Sequence, residues 1–125
     1  MKTIDQLAFS TLFVFALMTI SAMQICFRGE SLLSVALTKA ANVARMRAES
    51  LNGGVSSYRA DHCMYMAGAE GCLLSSTDAG FMFRFRGGPP GWQQLSPPQP
   101  TVETKLLVSP DGEQIRDVVY NGPLQ

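Results

Sequence analysis

One histidine in 125 residues, His62, leaves little material for acid–base chemistry. There is no second imidazole to serve a Ser or Cys nucleophile, no Gly-x-Ser-x-Gly elbow, and no pair of carboxylates in apolar surroundings, since Asp111 and Glu113 lie in a polar turn. The three cysteines lack the C-x2-C spacing of zinc sites, and a set of Asp61, His62, Cys63 and Cys72 would need adjacent ligands to converge on one ion. Net charge is also missing. Lys plus Arg and Asp plus Glu each number 10, so no overall field draws nucleic acid. Gly87, Gly88 and Gly91 precede no Lys-Ser or Lys-Thr and open no helix, which excludes a phosphate cradle. No catalytic residue, cofactor or metal is therefore assigned, and the chain is expected to be non-enzymatic. An enzyme using His62 beside Cys63 stands as an alternative that needs the cysteine free.

What the chain does have is a long apolar run. Gln6 to Phe27 is uncharged, and 22 residues at ~1.5 Å each reach about 33 Å, the thickness of a hydrocarbon core. The same run fits a secretory signal: a basic start at Lys2, an apolar stretch from Leu7 to Met18, and a small-residue exit at Ile20-Ser21-Ala22. Residues 1–27 are thus read as a signal peptide or a membrane anchor, which implies an extracytoplasmic protein, membrane-anchored or secreted. Arg28, Lys39, Arg45 and Arg47 follow the run while only Lys2 precedes it, a bias toward a cytoplasmic body. Export is still the expectation, because long domains translocate largely regardless of charge.

The remaining residues suffice for one small domain with a thin core, which would profit from a covalent staple. Eight residues separate Cys63 from Cys72, with Gly68 and Gly71 to turn the chain, and in an oxidising space this pair is expected to form a disulfide. Cys26 is the odd cysteine, with a buried thiol as its default state. Residues 28–59 carry five basic and two acidic side chains, and residues 60–125 four basic and seven acidic. The first part suits a lipid headgroup or an acidic partner; solvated faces of opposite bias give the same pattern.

Glu30 to Leu51 reads as an amphipathic helix with Ser31 as N-cap and Asn52-Gly53-Gly54 as its stop. Leu33, Leu37, Ala40, Ala44, Ala48 and Leu51 form one stripe, and Ala36, Ala40, Ala44 and Ala48 a row of small side chains that lets another backbone approach closely. Residues 28–54 and 55–125 form one domain. Val55 to Ala60 reads as a polar connector. Phe81, Phe83 and Phe85 alternate with Met82, Arg84 and Arg86, an aromatic inner face and a basic outer one. Leu73 to Ser76 is a shorter partner. Val102 to Val108, the turn Ser109-Pro110-Asp111-Gly112 and Ile115 to Tyr120 make a second hairpin, in which Arg116 and Asp117 would point to opposite faces. Six of seven prolines fall between residues 89 and 110, so the link between hairpins reads as a stiff surface strap. Its Trp92 either caps the core or anchors a partner.

The fold expected is α+β: an N-terminal apolar helix or signal, then an amphipathic helix packed on a small antiparallel sheet of about four strands. This layout, with its disulfide loop, resembles that of type IV pilins and pseudopilins. The resemblance implies a retained N-terminal helix and self-assembly. The leader motif of that family, Gly before the mature start and Glu five residues beyond it, is not matched: no Gly precedes Gly29, and no acid lies between Asp5 and Glu30. The function expected is a binding or assembly component at the cell envelope, with a pilin-like subunit as its alternative. Trp92, Arg84, Arg86, Pro89 and Pro90 are the candidate contacts for a protein partner or for self-assembly, and the N-terminal segment, if uncleaved, is the contact with the membrane.

Overall fold

Small side chains at every fourth position of a helix invite close packing, and the fold uses them that way. The structure, a computed structural model, describes residues 32–125. The segment 1–27 and the expected cap Ser31 lie outside the described residues. A helix, α1, covers 32–51. Ala40, Ala44 and Ala48 are wholly buried, with Ala36 and Leu37 packed beside them. Leu33 (61 % exposed) and Leu51 (38 %) fall off the expected stripe, because the core reaches only the middle of the helix. Between Ala36 and Ala40 the helix backbone meets Gly112, whose position would drive a Cβ into the Ala36 carbonyl and toward the Ala40 nitrogen. Gly112 is also held at φ +78°. The second hairpin turn therefore presses directly on the helix, flanked by an exposed Lys39–Glu113 pair at 3.5 Å. At the other end, the Gly54 N–H donates to the Glu49 carbonyl at 2.7 Å with Gly53 at φ +96°, a Schellman-type stop.

Five strands complete an α+β fold: β1 (Arg59–Ala60), β2 (Leu73–Thr77), β3 (Gly80–Gly88), β4 (Val102–Val108) and β5 (Ile115–Pro123). All pairings are antiparallel, in the order β1-β3-β4-β5, with β2 also on β3. β1 pairs with Gly87 and Gly88 and β2 with Gly80 to Phe83, so the two share one edge of β3 in two pieces. The disulfide loop is the excursion between them. This explains why five strands occur where about four were expected: the supposed connector Val55–Ala60 holds a two-residue strand. Among the described residues no helix is long and apolar enough to cross a membrane.

Phe81, Phe83 and Phe85 face inward at 3 % exposure or less and meet Leu106, Val108 and the alanines of α1 in one core. Arg84 and Arg86 face outward. In β5 neither Arg116 nor Asp117 is turned inward, as regular alternation would require of one of them. Ile115 opposes Val108 and Asp117 opposes Leu107, so Arg116 is an extra residue, and Val119 is a second one between Val118 and Tyr120. Two bulges reset the alternation and keep both charges exposed. The freed Arg116 donates to the Ala79 carbonyl at 2.8 Å, tying β5 to the β2–β3 turn. Buried Thr104 donates to Asn121 Oδ1 at 2.8 Å. Asn121 and Asn52 then exchange amide hydrogen bonds of 3.0 and 3.2 Å, linking β5 to the end of α1.

The last two residues of β3 lack side chains for a reason. A Cβ on Gly87 would overlap the Tyr58 ring, on the inner face. One on Gly88 would sit 3.2 Å from Trp92 Cγ, on the outer face. Each glycine makes room for an aromatic ring, from opposite sides of the sheet. Tyr58 is 1 % exposed, and its hydroxyl has no hydrogen-bond partner among the described residues. Burial pushes the phenol up to about 12.

Two outcomes follow from this packing. Gly112→Ala adds a Cβ against helix backbone at a positive φ and is expected to cost about 2 kcal/mol or more in urea unfolding. A phenol with a raised folded-state pKa contributes stability below its unfolded value of about 10, lost as pH climbs toward about 12. Alkaline titration followed by circular dichroism should show this loss in the wild type and a smaller one in Tyr58→Phe.

Candidate functional site

The strap meets β1, 33 residues earlier in the chain, at the edge of the sheet beside the disulfide loop. A 3-10 turn over Trp92–Gln94 places the indole against Gly88, where its Nε1–H donates to the Arg59 carbonyl at 2.8 Å. Gln93 Nε2 donates to the Ala60 carbonyl at 3.0 Å. The Gln93 bond occupies the Ala60 carbonyl, which faces away from β3, and blunts an edge that would otherwise be open to pairing. The strap is pinned again where the Thr101 N–H donates to the Gly87 carbonyl at 2.9 Å.

The opposite wall is the 3-10 turn His62–Tyr65, capped by Asp61, whose carboxylate accepts the Cys63 N–H at 3.2 Å. A disulfide joins Cys63 to Cys72, with Cα atoms 6.0 Å apart. The loop is anchored to β3 at both ends: the Asp61 N–H donates to the Arg86 carbonyl at 2.8 Å, and the Arg84 N–H to the Cys72 carbonyl at 2.9 Å. From the helix side, Arg45 places its guanidinium 4.5 Å from the centre of the Tyr65 ring, donates to the Met64 carbonyl and pairs with Glu49 at 3.5 Å.

Between these walls lies a groove of about 550 Å3, lined by Arg59, Ala60, His62, Tyr65, Gly91, Trp92, Gln93 and Gln94. No carboxylate is among them. The groove is half open, with Arg59, His62, Tyr65 and Gln94 exposed at its rim and Trp92 buried in its floor. Cys63 is bonded to Cys72, so the His62–Cys63 nucleophile pair considered above is not formed. Among the described residues no three His, Cys, Asp or Glu side chains converge on a common point.

Of the contact residues expected from sequence, only Trp92 lines the groove. Its ring is 4 % exposed, so it shapes the floor and offers little surface of its own. Pro89 and Pro90 are exposed at the start of the strap. Arg84 and Arg86 stand on the outer sheet face, exposed but outside the lining. Arg84 Nε donates to Glu103 Oε1 at 3.0 Å, and the Gln125 N–H reaches the other Glu103 oxygen at 3.3 Å. Glu103 is buried. The hydrogen bond from Arg84 holds its carboxyl below the usual range against the opposing effect of burial, with Gln125 and Arg86 adding to the depression. Arg59, Tyr65, Gln93 and Gln94 were not singled out by sequence, since nothing local marks them. The one available cue was the Gly87-Gly88 pair, which implies rings packed close to the strand.

No family model matches the chain, and neither the curated proteins nor the solved structures gave a match.

Glu103 supplies the pH test of the outer face. Because its folded-state pKa is depressed, it contributes stability above the ordinary glutamate range, lost as pH falls through the depressed value. Acid unfolding monitored by circular dichroism should show a wild-type advantage over Glu103→Gln at neutral pH that disappears as the medium is acidified below about 4.

Proposed function

We propose that this chain is a non-enzymatic binding component of the cell envelope, carried out of the cytoplasm by its apolar segment 1–27 and binding through the groove between strap and disulfide loop. The observation that carries the reading is the construction of that groove. One wall is covalently stapled and the other is pinned by side-chain hydrogen bonds to β1, so both are held before any ligand arrives. The Cys63–Cys72 bond supports an oxidising compartment, because such links persist outside the cytosol. Arg84, Arg86, Pro89 and Pro90 form the wider contact face for a protein partner on the same outer side of the sheet.

A second reading, self-assembly as a pilin-like subunit, draws on the start of α1. Leu32, Leu33 and Val35 are 71 %, 61 % and 49 % exposed, an apolar surface that a neighbouring helix would cover. The resemblance in layout to type IV pilins and pseudopilins points the same way.

Alkylation of free thiols in intact cells, followed by mass mapping, tests the compartment and the fate of the leader together. The expected result is Cys63 and Cys72 protected until reduction, with the mature chain either starting near Met23 or retained in the membrane fraction. Labelling of both cysteines in the native protein would overturn export.

A further inference from the structure

The lining of the groove selects a ligand class. Its charged member is the Arg59 guanidinium, and neither Arg59 nor the neighbouring His62 has a side-chain hydrogen-bond or ion-pair partner among the described residues. The nearest carboxylate in sequence, Asp61, is turned to cap Cys63. A cationic ligand would find no counter-charge there, whereas an anion meets an uncommitted guanidinium able to grip a carboxylate with two parallel hydrogen bonds.

The apolar part of the lining is equally selective. It consists of Tyr65, Trp92, Ala60 and Gly91, with no Leu, Ile, Val or Met. There is no aliphatic pocket to hold a branched side chain of a peptide. Gly91 at φ +90° has nothing within 4 Å of where a Cβ would lie, so the space beside that backbone is open. The accessible ring of Tyr65, 49 % exposed, and the side-chain-free backbone at Gly91 fit the C–H face of a sugar ring. The polar members fit the same partner. The Gln94 amide makes no internal bond among the described residues, and Gln93 spends only its N–H on Ala60, keeping its oxygen as an acceptor. Neighbouring amides offer a donor and acceptors for hydroxyl groups. The volume lies within the range of small-ligand sites.

We propose that the groove binds an acidic saccharide, an oligosaccharide carrying uronate carboxylates, with Arg59 on the carboxylate, Tyr65 against the ring and Gln93 and Gln94 on the hydroxyls. The proposal rests on the groove being the binding site, as argued above, and is independent of the thiol map that judges export.

Trp92 is the sole tryptophan and lies in the floor, so its emission reports occupancy directly. Full-length protein in detergent micelles is titrated with trigalacturonate, with galactotriose as the neutral counterpart, and with a tripeptide bearing a free C-terminal carboxylate. The expected result is a saturable change in Trp92 emission with trigalacturonate, at least about tenfold weaker for galactotriose, and weakened about tenfold or more by Arg59→Gln. Gln94→Ala, at an exposed position, should weaken binding several-fold while leaving the near-ultraviolet circular dichroism unchanged. It keeps the test decisive if Arg59→Gln disturbs folding. Lys39→Gln on the far helix should change nothing. Equal affinity for galactotriose, or no response to trigalacturonate, overturns the saccharide proposal. A response to the tripeptide alone overturns it too, but leaves the groove standing as a binding site. Binding lost in Arg86→Gln and kept in Arg59→Gln would move the site to the open sheet face and overturn both.

Discussion

Two adjacent residues without a Cβ, Gly87 and Gly88, set how the far ends of this domain come together. Tyr58 settles on the inner side of the strand at the first, and Trp92 on the outer side at the second. The inner ring closes the core against α1, and the outer ring holds the strap on β1. A side chain at Gly87 would overlap the Tyr58 ring, and one at Gly88 would crowd Trp92, which lines the groove. The long central strand β3 therefore serves as a core strand over its phenylalanines and as a platform over its glycines.

Around that platform the sheet edges are all managed. β1 gives its free-edge Ala60 carbonyl to the Gln93 side chain, β2 carries an irregularity at Leu74, and β5 has bulges at Arg116 and Val119. Each device interrupts a row of free backbone groups that would otherwise template pairing with another chain. The loop between β1 and β2 would be costly to order by weak contacts alone. In the chain-entropy model the disulfide contributes about 2 to 3 kcal/mol, a sizeable share of the ~5 to 15 kcal/mol typical of a domain. It also positions Tyr65, which Arg45 reaches from the helix. The covalent bond thus fixes one groove wall while stabilising the fold.

Much of the architecture was legible because it is local. Alternation at Phe81, Phe83 and Phe85 identified β3 and its inner face, and the alanine row identified the helix side that another backbone meets, here Gly112. The cysteine spacing was right for the bond observed. Tyr58 was missed because a single aromatic in a short polar stretch has no period to reveal it. The bulges in β5 were missed for a related reason: an extra residue breaks the pattern that sequence reading relies on, and the regular strand expected there placed Arg116 and Asp117 on opposite faces.

The site was far less legible than the fold. Sequence pointed to Trp92 with Arg84, Arg86, Pro89 and Pro90, and the groove took only Trp92, adding Arg59, His62, Tyr65, Gln93 and Gln94 from two separate stretches. What the sequence by itself determined was the set of elements, their inner faces and the cysteine staple, because periodicity, turn chemistry and loop length act over a few residues. Only the tertiary structure decided which rings cover Gly87 and Gly88, and so where a groove forms. The contacts that build it join residues 33 positions apart, through hydrogen bonds to backbone carbonyls that carry no side-chain signature.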